Sequence, residues 1–141
     1  MKPIHILLIE DNEGDILLTT EALAEGKIIN EVSVARDGEE AIEFLNKSGQ
    51  FANVTVPDLI LLDVNLPKKN GHEVLEYIKS TDHLKHIPVI ILTTSSSHKD
   101  ILNAYRNFAN AYITKPVDID DFIKVLTTVE DFWIGIVQLP K

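Results

Sequence analysis

Glu10-Asp11, Asp63, Thr93 and Lys115 each close a short, largely apolar run of the chain. Three carboxylates, a hydroxyl and an ammonium make a charged site if the four runs end on one edge of a fold. Two carboxylates about 4 Å apart repel by roughly 4 kcal/mol at an effective dielectric near 20. Three together require a cation or shifted pKa values. Oxygen donors in an open, partly wet pocket suit magnesium, which takes a few carboxylates and keeps several waters. Taken singly, each residue has an ordinary explanation. An acid at a strand end is commonly a solvated loop carboxylate or a helix cap. Thr93 suits a strand as a β-branched residue, and Lys115 before Pro116 reads as a surface lysine. Four separate strand ends carrying matching chemistry point instead to a site.

The elements that must position these groups are legible in the hydrophobic pattern. Ile4–Ile9, Leu59–Leu62 and Val89–Leu92 are nearly unbroken apolar runs, as expected of strands buried on both faces. Val32–Ala35 and Ala111–Thr114 read as two further strands. Between them, apolar residues at helical spacing predict helices over Ile16–Leu23, Glu39–Lys47, His72–Lys79 and Lys99–Phe108. A last helix starts from an N-cap at Asp118 and keeps its period out to Pro140. Asn46–Pro57 reads as a long polar loop. Five strands alternating with five helices predict an α/β fold, a doubly wound and mainly parallel sheet. Right-handed crossovers make the flavodoxin-like order 2-1-3-4-5 the first choice, with ligands outside the carboxyl ends of the strands.

Composition bounds the rest. The chain has 141 residues, 45% hydrophobic and 25% charged, which suits one soluble domain spanning residues 1–141. No apolar run approaches the roughly 18–20 residues needed to cross a bilayer, and the first ten residues lack the pattern of a signal peptide. A cytoplasmic location without membrane contact is expected. With no cysteine, disulfides, thiol catalysis and zinc–thiolate sites are excluded. The net charge of −9, from 22 acidic and 13 basic residues, argues against a nucleic-acid partner. His83 and His86 have a metal-like spacing but no third ligand, and Ser95–Ser97 read as a loop and helix cap rather than as nucleophiles. His5, His72 and His98 give no functional signal.

Glu10-Asp11, the run Leu59-Ile60-Leu61-Leu62-Asp63, Leu66-Pro67 followed by Gly71, Thr93 and Lys115-Pro116 together resemble the receiver domain of two-component response regulators, the CheY-like family. The resemblance covers essentially the whole chain. It implies that Asp63 accepts a phosphoryl group from a phosphohistidine of a sensor histidine kinase. It further implies that Asp11 and Asp63 ligate Mg2+ directly, that Asn65 adds its backbone carbonyl and that Glu10 acts through water. Thr93 becomes the switch hydroxyl, Lys115 the salt-bridging cation and Tyr112 the aromatic whose rotamer reports activation. The long loop Asn46–Pro57, the stretch Leu66-Pro67-Lys68-Lys69-Asn70-Gly71 and the Phe132-Trp133 ending are similar to the small regulators that serve bacterial phytochrome kinases, cyanobacterial ones above all. That likeness implies a phytochrome-type kinase as partner.

Residues 130–141 are expected to extend the last helix. Phe132, Trp133 and Ile136 there either fold back on their own domain or form an interface, and a homodimer is the expectation. The length leaves no room for an output domain, so signalling by protein contact is expected rather than direct transcriptional control. The competing class is an aspartyl-nucleophile phosphohydrolase on a similar sheet. Such enzymes carry the nucleophile on the first strand with a second acid two residues later, whereas Asp63 lies on the third and is followed by Val64-Asn65. A pseudo-receiver scaffold is disfavoured because every required residue is present.

Overall fold

Side chains alternate across a strand, so an unbroken apolar run needs cover on both faces. The structure, a computed structural model describing residues 3–25, 30–134 and 138–140, supplies it. In chain order the elements are β1 (Ile4–Ile9), α1 (Glu13–Ala24), β2 (Asn30–Ala35), α2 (Gly38–Leu45), β3 (Leu59–Leu62), α3 (Gly71–Ser80), β4 (Val89–Thr93), α4 (His98–Arg106), β5 (Ala111–Thr114) and α5 (Ile119–Val129). The five strands form one parallel sheet in the order β2-β1-β3-β4-β5, as expected. Leu7, Ile9, Ile60, Leu62, Val89 and Ile91 point to one face, packed with Phe44 of α2 and with Val74, Leu75 and Ile78 of α3. Ile6, Leu8, Leu59, Leu61 and Ile90 point to the other, against Ile16 and Leu23 of α1 and Val129 of α5. Leu92 adds Phe122 and Leu126 of α5 to that side.

The helices begin where side chains cap them rather than where the apolar period starts. The Asn12 side chain accepts the Asp15 N–H, so α1 opens at Glu13, three residues before Ile16. Asn70 and Glu73 form a reciprocal capping box at the start of α3. Ser97 caps α4, and Asp118 accepts the N–H groups of Asp120 and Asp121 at α5. The long loop is tied down along its length. It carries a 3-10 turn, Gly49–Phe51, whose Phe51 ring lies 5.2 Å from that of Phe44. The His5 ring, buried on β1, is bracketed by the hydroxyls of Thr55 and Ser33, each at 2.9 Å.

The last helix departs from expectation. Regular α-helix ends at Val129, a π-helical turn occupies Glu130–Ile134, and Gln138–Pro140 carry no helix. Apolar steps of three and four over so short a stretch do not distinguish a 3.6-residue turn from a wider one. Trp133 is half-buried against the α1/α5 side of the core, while Phe132 stays 49% exposed with its ring edge-on to the indole at 5.8 Å. Ile136 lies outside the described residues.

Candidate functional site

Parallel register fixes which residues leave the sheet together. Ile9 stands opposite Leu62, so Glu10 and Asp63 emerge side by side, the Asp63 N–H donating to Ile9 O at 3.0 Å. Thr93 pairs with Thr114, and the next residue, Lys115, donates its N–H to Thr93 O at 2.6 Å. Glu10, Asp63, Thr93 and Lys115 are all buried, while Asp11 and Asn65 lie exposed at the rim. The loop after Asp63 is held in place by α3. The Gly71 N–H donates to Val64 O at 2.9 Å, and a Cβ on Gly71 would collide with the main chain of Asp63 and Val64.

Within the site the Lys115 ammonium donates to Glu10 Oε1, to Asp63 Oδ2 at 3.1 Å and to Asp15 Oδ2 at 2.9 Å. The other Asp63 oxygen accepts the Asn65 N–H at 2.9 Å. Glu10 Oε2 accepts the Asp11 N–H at 3.1 Å. The Thr93 hydroxyl oxygen lies 3.5 Å from Asn65 Nδ2 and 3.4 Å from the Ser95 nitrogen, both as donors. Carboxylate oxygens of Glu10, Asp11 and Asp63 lie within 4.8 Å of one another. This all-oxygen set, open to water on the Asp11 side, fits a hard divalent cation.

The electrostatics follow from crowding acids under one ammonium. Burial pushes the Glu10 carboxyl up to about 7; the Asp63 charge adds to the rise and the bond to Lys115 opposes it. Burial works against ionising Asp63 too, but the Asn65 N–H, the Thr93 hydroxyl and Lys115 outweigh it and hold that carboxyl below the usual range. Lys115, by contrast, is raised: burial would strip its proton, and the bonds to Glu10 and Asp15 and the charge of Asp63 retain it.

A model of the response regulator receiver domain matches residues 6–127. The chain belongs to that family. The receiver is 44% identical to the response regulator Rcp1 of Synechocystis sp. over 138 residues, spanning 98% of this chain and 94% of Rcp1. Two solved structures superpose closely. The phosphorylated cyanobacterial phytochrome response regulator RcpA gives a TM-score of 0.97 at 45% identity, covering 99% of this chain and 100% of RcpA. The Mn2+-bound form of Rcp1 gives 0.96 at 43%, again over 99% and 100%. Asp63 directly follows β3, whereas the phosphohydrolases weighed above carry their nucleophile on the first strand.

The structure brings Glu10, Asp11, Asp63, Thr93 and Lys115 together and sets Asn65 beside them. Tyr112 reaches the site indirectly. Its hydroxyl donates to Ser95 O at 2.8 Å, the Ser95 hydroxyl to Asp100 Oδ2 at 2.5 Å, and Asp100 Oδ1 lies 2.9 Å from His72 Nε2. Ser95 and His72 hold the Asp100 carboxyl below its ordinary value. His72, silent in the sequence, thus joins a chain linking β5, the loop after β4, α4 and α3. Asp15 was missed as well. In sequence it reads as a first-turn helix acid, and only the fold shows it on Lys115.

Proposed function

We propose that this receiver accepts a phosphoryl group on Asp63 from a phosphohistidine of a sensor histidine kinase and signals through a changed protein-contact surface. The observation that carries the reading is the buried Lys115 ammonium 3.1 Å from Asp63, with the Glu10 and Asp11 oxygens grouped beside it. In the transfer an Asp63 carboxylate oxygen bonds to phosphorus as the N–P bond breaks, and the imidazole leaves with a proton from water. An aspartate is a weak nucleophile, so acceleration rests on in-line positioning and on neutralising the equatorial oxygens. Asp11, Asp63 and the Asn65 backbone carbonyl would hold Mg2+, with Glu10 acting through water, and the bound ion would supply positive charge at the transferring group. The Mn2+-bound form of Rcp1 supports a divalent ion at this acidic cluster. The Asn65 N–H orients Asp63, and Lys115 turns an N–H toward a phosphoryl oxygen.

The phosphoryl oxygens then attract the Thr93 hydroxyl. The Ser95 nitrogen on that hydroxyl moves with it, and Tyr112, bonded to Ser95 O, repacks in response. The surface over this loop carries Leu102, Tyr105 and Phe108 around α4, each at least half exposed. We assign homodimer or partner contact to this face together with the exposed Phe132. Likeness to RcpA and Rcp1 over the whole chain supports a phytochrome-type kinase, and a kinase charged by ATP would meet the protein in the cytoplasm. Incubation with acetyl phosphate and Mg2+ is expected to add one phosphoryl group by mass, and Asp63→Asn to abolish it. Persistent labelling of Asp63→Asn would remove the assignment.

A further inference from the structure

An ammonium has three N–H donors. In Lys115 all three are engaged, by Glu10, Asp63 and Asp15. The first two belong to the carboxylate group suited to a cation; Asp15 does not. It stands on the first turn of α1, its side chain 25% exposed, and reaches the ammonium from outside that group. With Glu10, Asp11, Asp15 and Asp63 ionised against Lys115, four negative charges face one positive, a formal −3. Asp15 supplies a third of that excess. An incoming phosphoryl group is itself an anion and needs one of the three N–H groups.

We propose that Asp15 is a positioning residue that restrains phosphorylation of Asp63: it holds the Lys115 ammonium toward α1 and competes with the phosphoryl oxygens for an N–H. The inference rests on Asp63 being the phosphoacceptor. A helix-terminal acid with a purely structural role would stabilise α1 through the helix dipole and leave anion binding at Asp63 untouched. The two roles therefore separate by readout.

The test titrates the full chain with beryllium fluoride in saturating Mg2+ and, in parallel, follows labelling by acetyl phosphate. Asp15→Asn keeps the shape and an acceptor oxygen but removes the charge. It is expected to bind the fluoride mimic about fivefold more tightly and to label about fivefold faster, the gap narrowing as salt screens the rim. Asp15→Glu, which restores the charge, should return toward wild type. Should Asp15→Asn fail to fold, Asp15→Ser carries the same expectation. Wild type that labels while the uncharged variant binds and labels equally or more weakly overturns the role of Asp15 alone. Wild type that neither labels nor binds the mimic overturns the phosphoacceptor reading and this inference with it.

Discussion

Phe108 combines two unfavourable features whose effects can be separated. Its backbone is left-handed, φ +67°, and its side chain is 73% exposed. Both follow from how α4 ends. The Ala109 N–H donates to Ala104 O and the Phe108 N–H to Tyr105 O, each at 3.0 Å, the double closure of a Schellman motif. That motif places a left-handed residue just past the C-cap, here Asn107, and glycine is favoured there. A left-handed non-glycine residue costs roughly 1–2 kcal/mol. Glycine removes that cost but gives back about 0.4–1 kcal/mol through the freer unfolded chain. Phe108→Gly and Phe108→Ala both delete the ring, so their difference isolates the backbone. The glycine variant should be the more stable by about 1 kcal/mol, or about 3 °C in Tm for a domain of this size. In an ordinary helix interior the order is reversed, alanine exceeding glycine by about 1 kcal/mol. Urea unfolding with equal m values would measure the gap, and an alanine variant as stable as the glycine one would refute the strain argument. The same pair tests the contact face. If the ring serves association, sedimentation should show both variants weakened equally, since both lack it, although their stabilities differ.

Two further outcomes bear on the site. Gly71→Ala pushes a Cβ into the main chain of Asp63 and Val64, and should destabilise by about 2–3 kcal/mol while slowing the labelling of Asp63; a variant as stable as wild type by denaturant unfolding would contradict the close approach. Glu10 gives a pH dependence. Its folded value of about 7 exceeds the ordinary 4.5, so its contribution to stability is full below 4.5 and is lost as pH rises through about 7. Asp63, held low, acts oppositely, its contribution being lost as pH falls through its depressed folded value. Glu10 holds the ion through water best when ionised, so Mg2+ affinity by calorimetry should fall, by up to about tenfold, from about pH 8 to about pH 6, and Glu10→Gln should flatten the profile. A flat wild-type profile would show that Lys115 keeps Glu10 ionised throughout.

What could be read from the sequence depended on which interactions are fixed by the parallel ladder. Once the apolar runs Ile4–Ile9, Leu59–Leu62 and Val89–Leu92 are recognised as buried strands, crossover handedness orders them. The residues at their carboxyl ends then have to meet. Glu10, Asp63, Thr93 and Lys115 were legible for that reason, because main-chain register sets where each leaves the sheet. Asp15 and the His72–Asp100 pair sit on helices. Their meetings depend on how α1 lies against α5, and α3 against α4, which is set by packing of side chains rather than by a repeating ladder. Asn12 and Asp15 also have a complete local explanation as cap and first-turn acid, which conceals the longer-range contact to Lys115. The ending of α5 was obscured differently. Phe132 and Trp133 are adjacent and both apolar, so either could be the more buried of the two on a helical turn. Hydrophobicity alone cannot choose between them. The fold buries more of Trp133 and leaves Phe132 half in solvent, and so Phe132, rather than the tryptophan, is the more exposed aromatic of this ending.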